Sequence, residues 1–425
     1  MSFGICGGKR SKEKGYDVII IGGGIAGLYA AYTIKRYSPH ASLQIVEKNK
    51  RILAGGRTGN QSFYGTEVAI GAGIGRKHDK LLRKLLKELG FEMEEFRVTP
   101  FFPKQFEPLD VNKTMIMLRQ EYEKRQRNIK QPDPLTFEQF AKPILGEDYK
   151  RFLISSGYTD YEKEDIVDTL YNYGMEDNAC CLRAFGVNWR RLVTALMSEI
   201  GEFSIQFSVN ATAIKRGDDP VYRYTVETES GRKYFCKKVI VATTISSVRT
   251  LLPNPIYRGI EGQPFSRVYG KFTKQSIPVI KEYVKGYTCV VGPLQKIIPI
   301  NPDEGIYMIA YNDNANTKKL RGYAENTEQN RDVYCRLLEK ALSISFGRLQ
   351  LIAIRTYYWE IGTHYYKPLN TELYKDRDEF IQEAQHPEDG ILVVGEAVCK
   401  NPGWVEGALK SVDSVVTARW LSQLD

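Results

Sequence analysis

The sequence predicts an α/β fold in which a layer built on a parallel sheet, assembled from separated chain segments, joins an α+β block with a mixed sheet and a helical insertion. Three observations predict it. An apolar run, DVIIIG at 17–22, leads through glycines into a helix-like stretch, IAGLYAAYTIKRY at 25–37. A second apolar run, SLQIVE at 42–47, ends on an acid. A third, GILVVGEA at 390–397, appears near the C-terminus before a last helical stretch. Strands buried on both faces read as continuous apolar runs rather than alternating ones. The β-α-β order supplies the helical crossover that a parallel pair needs.

The remaining elements follow in chain order. Residues 77–90, KHDKLLRKLLKELG, have the spacing of an amphipathic helix stopped by Gly90. Residues 112–200 read as a mostly helical insertion broken by QPDP at 131–134, and EYEKRQRNIK at 121–130 reads as a solvated face. YRYTVETE at 222–229 and KYFCKKVIVAT at 233–243 read as a meander feeding a buried strand. FSRVYGKFTK (265–274), YTCVVG (287–292), KIIPI (296–300) and GIYMIAYN (305–312) read as a separate set of strands. Residues 326–346 read as a helix, LQLIAIRTYYWE (349–360) as a strand, and WVEGALKSVDSVVTARWLSQL (404–424) as one closing helix. The expected nucleotide-binding domain is therefore 17–75, 186–250 and 391–425, and the substrate-binding domain 76–185 and 251–390, after a flexible basic tail at 1–16.

Composition narrows the function. The chain has 425 residues and a net charge of +9, spread without a long basic block, so nucleic-acid binding is not expected. The seven cysteines are odd in number and include no CxxC, which reads as reduced thiols in the cytoplasm. The four histidines have no ligand spacing, so no metal site is expected. No stretch approaches the roughly 18 apolar residues of a membrane span. The first 16 residues show no apolar signal region, and no membrane tail is expected after Trp420.

The chemistry concentrates at the first turn. Gly22, Gly24 and Gly27 form GxGxxG between a strand and a helix. Gly22 allows the tight turn, Gly24 lets backbone approach a pyrophosphate, and Gly27 permits close helix–strand packing. The helix N-terminus favours the phosphate charge. Glu47, at the end of the second strand, stands where a carboxylate accepts from ribose hydroxyls. Together these make a Rossmann-like dinucleotide site. In AGGRTGN at 54–60, Gly55 and Gly56 admit a ligand close to backbone, and Arg57 suits a phosphate.

With EVAIGAGIG at 67–75 and VVGEAVCKNPGWVEGALKS at 393–411, the chain resembles the flavin-containing amine oxidase family, which includes monoamine and polyamine oxidases. The resemblance implies FAD as cofactor. It implies that Gly22, Gly24, Ala26 and Gly27 hold the pyrophosphate, Glu47 the adenosine ribose, and Arg57 the region between pyrophosphate and flavin. It places Gly73 and Ile74 along the isoalloxazine, Ala211 at the adenine, Glu396 at ribityl or phosphate groups, and Val405 at the start of a helix aimed at the ring. It also implies an aromatic pair before the flavin, Trp404 and Tyr365, that orients an amine. His364 falls near a column where some relatives link covalently to flavin. One departure stands out. Where many members carry a lysine near flavin N5, FSRVYGKF places Arg267, a poor proton acceptor suited to a substrate carboxylate. Lys271 shares its strand face but lies four residues on, roughly 13 Å away.

The expected activity is FAD-dependent oxidation of the C–N bond of a small amine or amino-acid-like substrate, with hydride passing to flavin and O₂ reoxidising it to give H₂O₂. The catalytic candidates are Arg267, Tyr365 and Trp404. The alternatives are an amino-acid oxidase or desaturase on the same scaffold, or a catalytically silent FAD-binding protein that serves a partner. The oligomeric state is not legible.

Overall fold

The computed structural model describes residues 15–127, 134–175 and 182–423. The expected tail at 1–14, the QPD of the break at 131–133 and the end of the charged stretch at 128–130 lie outside the described residues. Tyr16, assigned to the tail, instead begins the first strand, Tyr16–Ile21.

That strand is central to a seven-stranded sheet. Leu43–Glu47 runs parallel beside it, with Val18 opposite Leu43, and Ile205–Phe207 extends this edge in parallel. On the other side Lys233–Val241 is also parallel, with Ile21 opposite Val241. This long strand divides its outer edge. Its start pairs antiparallel with Tyr224–Thr228, and its end pairs parallel with Ile391–Val393. The C-terminal segment therefore enters the same sheet as the first strand, and the sheet is mixed.

Alternate residues of the first strand feed opposite cores. Val18 and Ile20 pack with Leu28, Trp189 and Leu409 under the helices Ile25–Tyr37, Trp189–Ile200 and Val405–Asp413. Ile19 and Ile21 pack with Val248 and Phe380 on the other face. Both faces are covered, which is why the run shows no polar alternation.

A five-stranded sheet lies beyond, in the order Thr288–Cys289, Lys296–Asn301, Ile306–Asp313, Ile260–Phe272 and Leu351–Tyr366, antiparallel at each pairing. Its two longest strands outrun the sequence reading, because Ile260–Gln263 pair with Thr363–Tyr366. Gly262, Pro264 and Gly362 disguise these extensions. Pro264 has no N–H for the ladder, and the register slips between Gln263 and Phe265. The helical insertion comprises Val111–Gln126, Phe137–Leu145, Asp148–Ser156 and Ile166–Tyr171 around Leu118, Phe140 and Tyr161.

The single closing helix expected over 404–424 is two. Val405–Asp413 stops, and Thr417 accepts the N–H of Trp420 to start Ala418–Leu421. The β-branched run Val415–Val416–Thr417 disfavours continuation, and threonine is a good N-cap. Among the described residues no helix is long and apolar enough to cross a membrane.

Candidate functional site

The C-terminal ends of Tyr16–Ile21, Lys233–Val241 and Ile391–Val393 open on one cavity of about 620 Å³. Open α/β sheets bind ligands at this edge. Gly22 has φ +109°, and a Cβ there would stand 2.4 Å from the Ala242 carbonyl. A Cβ on Gly27 would meet the Gly22 carbonyl at 2.0 Å, so Gly27 packs helix on strand rather than lining the cavity. Gly24 has nothing within 4 Å of a Cβ position and lies on the cavity wall. It precedes the Ile25–Tyr37 helix, whose N-terminus carries no side-chain cap and no first-turn acid.

A second uncapped N-terminus faces the same space. Trp404 precedes Val405–Asp413 without a side-chain cap, and both Trp404 and Val405 line the cavity. The first-turn acid, Glu406, is turned away and accepts the N–H groups of Leu81 (3.1 Å) and Leu82 (2.9 Å) at the start of the Lys80–Glu88 helix. Two open helix ends and a bare glycine turn form a cradle for an anionic, elongated ligand. Glu47 is buried beside it. One carboxylate oxygen accepts from Gly23 N–H at 2.6 Å, and the other from Asn49 backbone (2.8 Å) and side chain (2.7 Å). These residues fit the diphosphate and ribose of a dinucleotide.

Three distant segments are braced at Glu396. Its carboxylate accepts from Arg57 Nη1 at 2.7 Å, from Gly403 N–H at 2.9 Å and from His364 Nδ1. Arg57 also donates to the Gly362 carbonyl at 2.8 Å. Burial works against the Glu396 charge, yet His364, Arg57 and the Gly403 N–H hold the carboxyl well below the usual carboxylate range. His364 Nε2 accepts the N–H of Ile245 at 3.1 Å. Both ring nitrogens are thus engaged, which leaves neither for a covalent link to a flavin.

The segment from Ala69 to Gly73, which forms part of the wall, is pinned by three side chains. Trp359 Nε1 donates to the Ile70 carbonyl at 2.8 Å, Trp189 Nε1 to Gly73 at 3.1 Å, and the Tyr269 hydroxyl to Ala69 at 2.6 Å. Beyond it the cavity becomes aromatic and charged, with Tyr158, Tyr173, Tyr311, Trp359, Arg267 and Asp160 on its wall. Burial and nearby Asp313 push the Asp160 carboxyl up to about 7.

Of the sequence candidates, Gly22, Gly24, Ala26, Glu47, Arg57, Gly73, Ile74, Ala211, Arg267, Glu396, Trp404 and Val405 all line this cavity. Tyr365 does not. It is half-buried opposite Glu261 and is not among the lining residues, whereas Trp359 is. The Trp404 ring lies under the Arg76 guanidinium at 3.9 Å, so no Trp404–Tyr365 slot forms. Lys271 pairs with Glu304 at 3.3 Å, outside the cavity. Sequence reasoning missed Tyr158, Asp160, Tyr311, Asp313 and the buried Lys296 behind them. No local signal singles them out: the triplet Tyr-x-Asp at 158–160 and 311–313 occurs also at 374–376, away from the cavity.

The family model described as flavin containing amine oxidoreductase matches residues 25–415. No curated protein sequence matches the chain. Among solved structures, wild-type putrescine oxidase bound to putrescine is similar with a TM-score of 0.71 and 14% identity, over 97% of this chain and 99% of that one. A protein of Exiguobacterium sp. 255-15 assigned as a protoporphyrinogen oxidase is similar with a TM-score of 0.68 and 15% identity, over 96% of this chain and 100% of that one. At these identities the structural likeness speaks for the fold.

Proposed function

Because the chain belongs to the flavin-containing amine oxidoreductase family and is an FAD-dependent oxidoreductase, we propose that it oxidises a C–N bond of an amine. In this reading hydride leaves the carbon next to nitrogen, O₂ is the final acceptor, and imine and H₂O₂ are the products. The observation that carries it is the continuity of one cavity from the glycine cradle to the aromatic chamber.

When bound, FAD supplies the two-electron acceptor; the chain supplies position and surroundings. The backbone at Gly22, Gly24 and Ala26 and the first helix end would hold the diphosphate, Glu47 the ribose and Ala211 the adenine. Arg57 and Glu396 would fix the middle of the cofactor, and Gly73, Ile74 and Val405 would border its ring. A helix N-terminus near developing negative charge contributes about 0.3–2 kcal/mol. Trp404 and Trp359 would shape the approach of the substrate and exclude water. The division into cofactor segments 17–75, 186–250 and 391–425 and substrate segments 76–185 and 251–390 belongs to this proposal. A cytoplasmic setting is supported by the free, buried thiols Cys236, Cys289, Cys335 and Cys399.

The test is anaerobic mixing of the FAD-loaded protein with primary, secondary and polyamines and with amino acids, following flavin bleaching, then peroxide on admitting air. Bleaching by at least one class with stoichiometric peroxide supports the reading. No bleaching by any of them overturns it.

A further inference from the structure

Four charged side chains gather around the cavity tyrosines: Arg267, Lys296, Asp160 and Asp313. Their hydrogen bonding divides by sign. Both carboxylates are engaged. Asp160 accepts the Tyr173 hydroxyl at 2.5 Å. Asp313 accepts Gln295 Nε2 at 3.2 Å on both oxygens, together with the backbone N–H (3.3 Å) and hydroxyl of Thr159.

The cations are not so engaged. Arg267 is 4% exposed, its Nε has no partner, and Nη1 meets the Met308 sulfur at 3.8 Å. The Tyr269 hydroxyl, which donates to Ala69, offers the guanidinium its oxygen as a neutral acceptor, not an anion. Lys296 is fully buried with no hydrogen-bond partner at Nζ, which rests 3.2 Å from the Tyr158 ring centre and 4.1 Å from that of Tyr311. Among the described residues neither cation has a carboxylate oxygen within 4 Å; Asp313 and Asp160 act on the Lys296 charge from farther off.

A buried guanidinium without an anion is strongly unfavourable. This one lines the cavity and lies against bare backbone, because a Cβ on Gly73 would stand 2.9 Å from Arg267 Nη2. The Tyr311 ring centre is 4.4 Å from it and that of Phe265 is 6.0 Å away, leaving an aromatic wall around its donors. The cavity thus offers an incoming ligand a free cation, while its acids are already serving protein donors.

We infer that the substrate carries a carboxylate, and that Arg267 binds it inside the cavity. This rests on the amine-oxidation reading and narrows it to amino-carboxylates. The planar fork of the guanidinium matches both oxygens of a carboxylate. Lys296 lies behind the rings of Tyr158 and Tyr311, which border the same space, and does not itself line the cavity.

The experiment uses the full chain loaded with FAD and reads perturbation of the bound flavin spectrum, not its reduction. The probes are benzoate and 3-phenylpropionate, compared with benzamide, 3-phenylpropanol and 3-phenylpropylamine. The carboxylates are expected to bind about tenfold or more tighter than their counterparts. Arg267→Met is expected to lose that preference and Arg267→Lys to keep part of it, each read per bound flavin. Where Arg267→Met does not fold, the wild-type comparison is repeated as ligand-induced thermal stabilisation, which needs no variant. Equal binding of carboxylate and amide, or an intact preference in Arg267→Met, overturns the inference. So does tighter binding of inorganic phosphate or methylphosphonate than of any carboxylate. A carboxylate preference without bleaching by any amine or amino acid sinks the amine-oxidation reading alone; bleaching without the preference sinks this inference alone.

Discussion

Replacing Glu396 by glutamine should destabilise the apoprotein by about 3–5 kcal/mol at pH 7, the range for removing one partner of a buried ion pair. Three donors converge on this carboxylate: Arg57 Nη1, His364 Nδ1 and Gly403 N–H. Glutamine keeps one oxygen, which can serve Arg57 and His364. Its NH₂ then faces the Gly403 N–H, so one acceptor becomes a donor against a donor. The two surviving bonds lose their charge assistance, each contribution being about 1.5–3 kcal/mol with the charge present. The pH dependence gives a second signature. The folded carboxyl lies well below its usual range. Its stabilisation is therefore fully present above the unfolded value of roughly 4.3 and is lost as pH falls toward the folded one. Urea melts of wild type and Glu396→Gln should show a constant gap from about pH 6 to 8 that narrows below about pH 4. A gap under about 1 kcal/mol at neutral pH, or one that persists unchanged into acid, would refute the reasoning.

Gly24→Val should leave apoprotein melting nearly unchanged, because a Cβ there meets nothing within 4 Å. It should weaken FAD binding about tenfold or more by filling the cradle, measured by fluorescence titration. Asp160→Asn should gain stability relative to wild type as pH rises. The wild-type carboxyl is pushed up to about 7 by burial and Asp313, so the stability of its neutral form is full below roughly pH 4 and is lost through pH 7; urea midpoints at pH 4.5 and 8 check the sign. Glu406→Ala should cost about 0.5–2 kcal/mol by uncapping Leu81 and Leu82, read in the same melts. Tyr365→Phe should change amine kcat/KM by less than about twofold, since its ring does not line the cavity; a loss of about tenfold would restore it to the site.

The cofactor half of the site was legible because its signals are local. A strand buried on both faces, a glycine turn and a terminal acid declare themselves in thirty residues, and the return of the C-terminal strand beside Lys233–Val241 follows from the same apolar pattern. The substrate half was less so. Lys296 opens a strand whose pattern marks it as solvated, yet it is fully buried against Tyr158 and Tyr311, with Asp313 acting on its charge. Its burial is a tertiary outcome that propensity does not encode. The Tyr365 placement failed for a geometric reason. Alternation along Leu351–Tyr366 is interrupted by the slip opposite Pro264, and six consecutive residues from Trp359 to His364 all reach the cavity. No counting by twos survives such a bulge. Arg267, by contrast, was placed from a motif and lies on the wall, because its strand is regular from Phe265 to Val268.

The most direct measurement is a crystal structure of the FAD-bound protein. The diphosphate is expected at the N–H groups of Gly24–Ala26, the adenosine ribose on Glu47, and the ring between Gly73 and the start of the Val405–Asp413 helix. A cofactor bound elsewhere, or a ring placed away from Arg267 and Trp404, would contradict that placement.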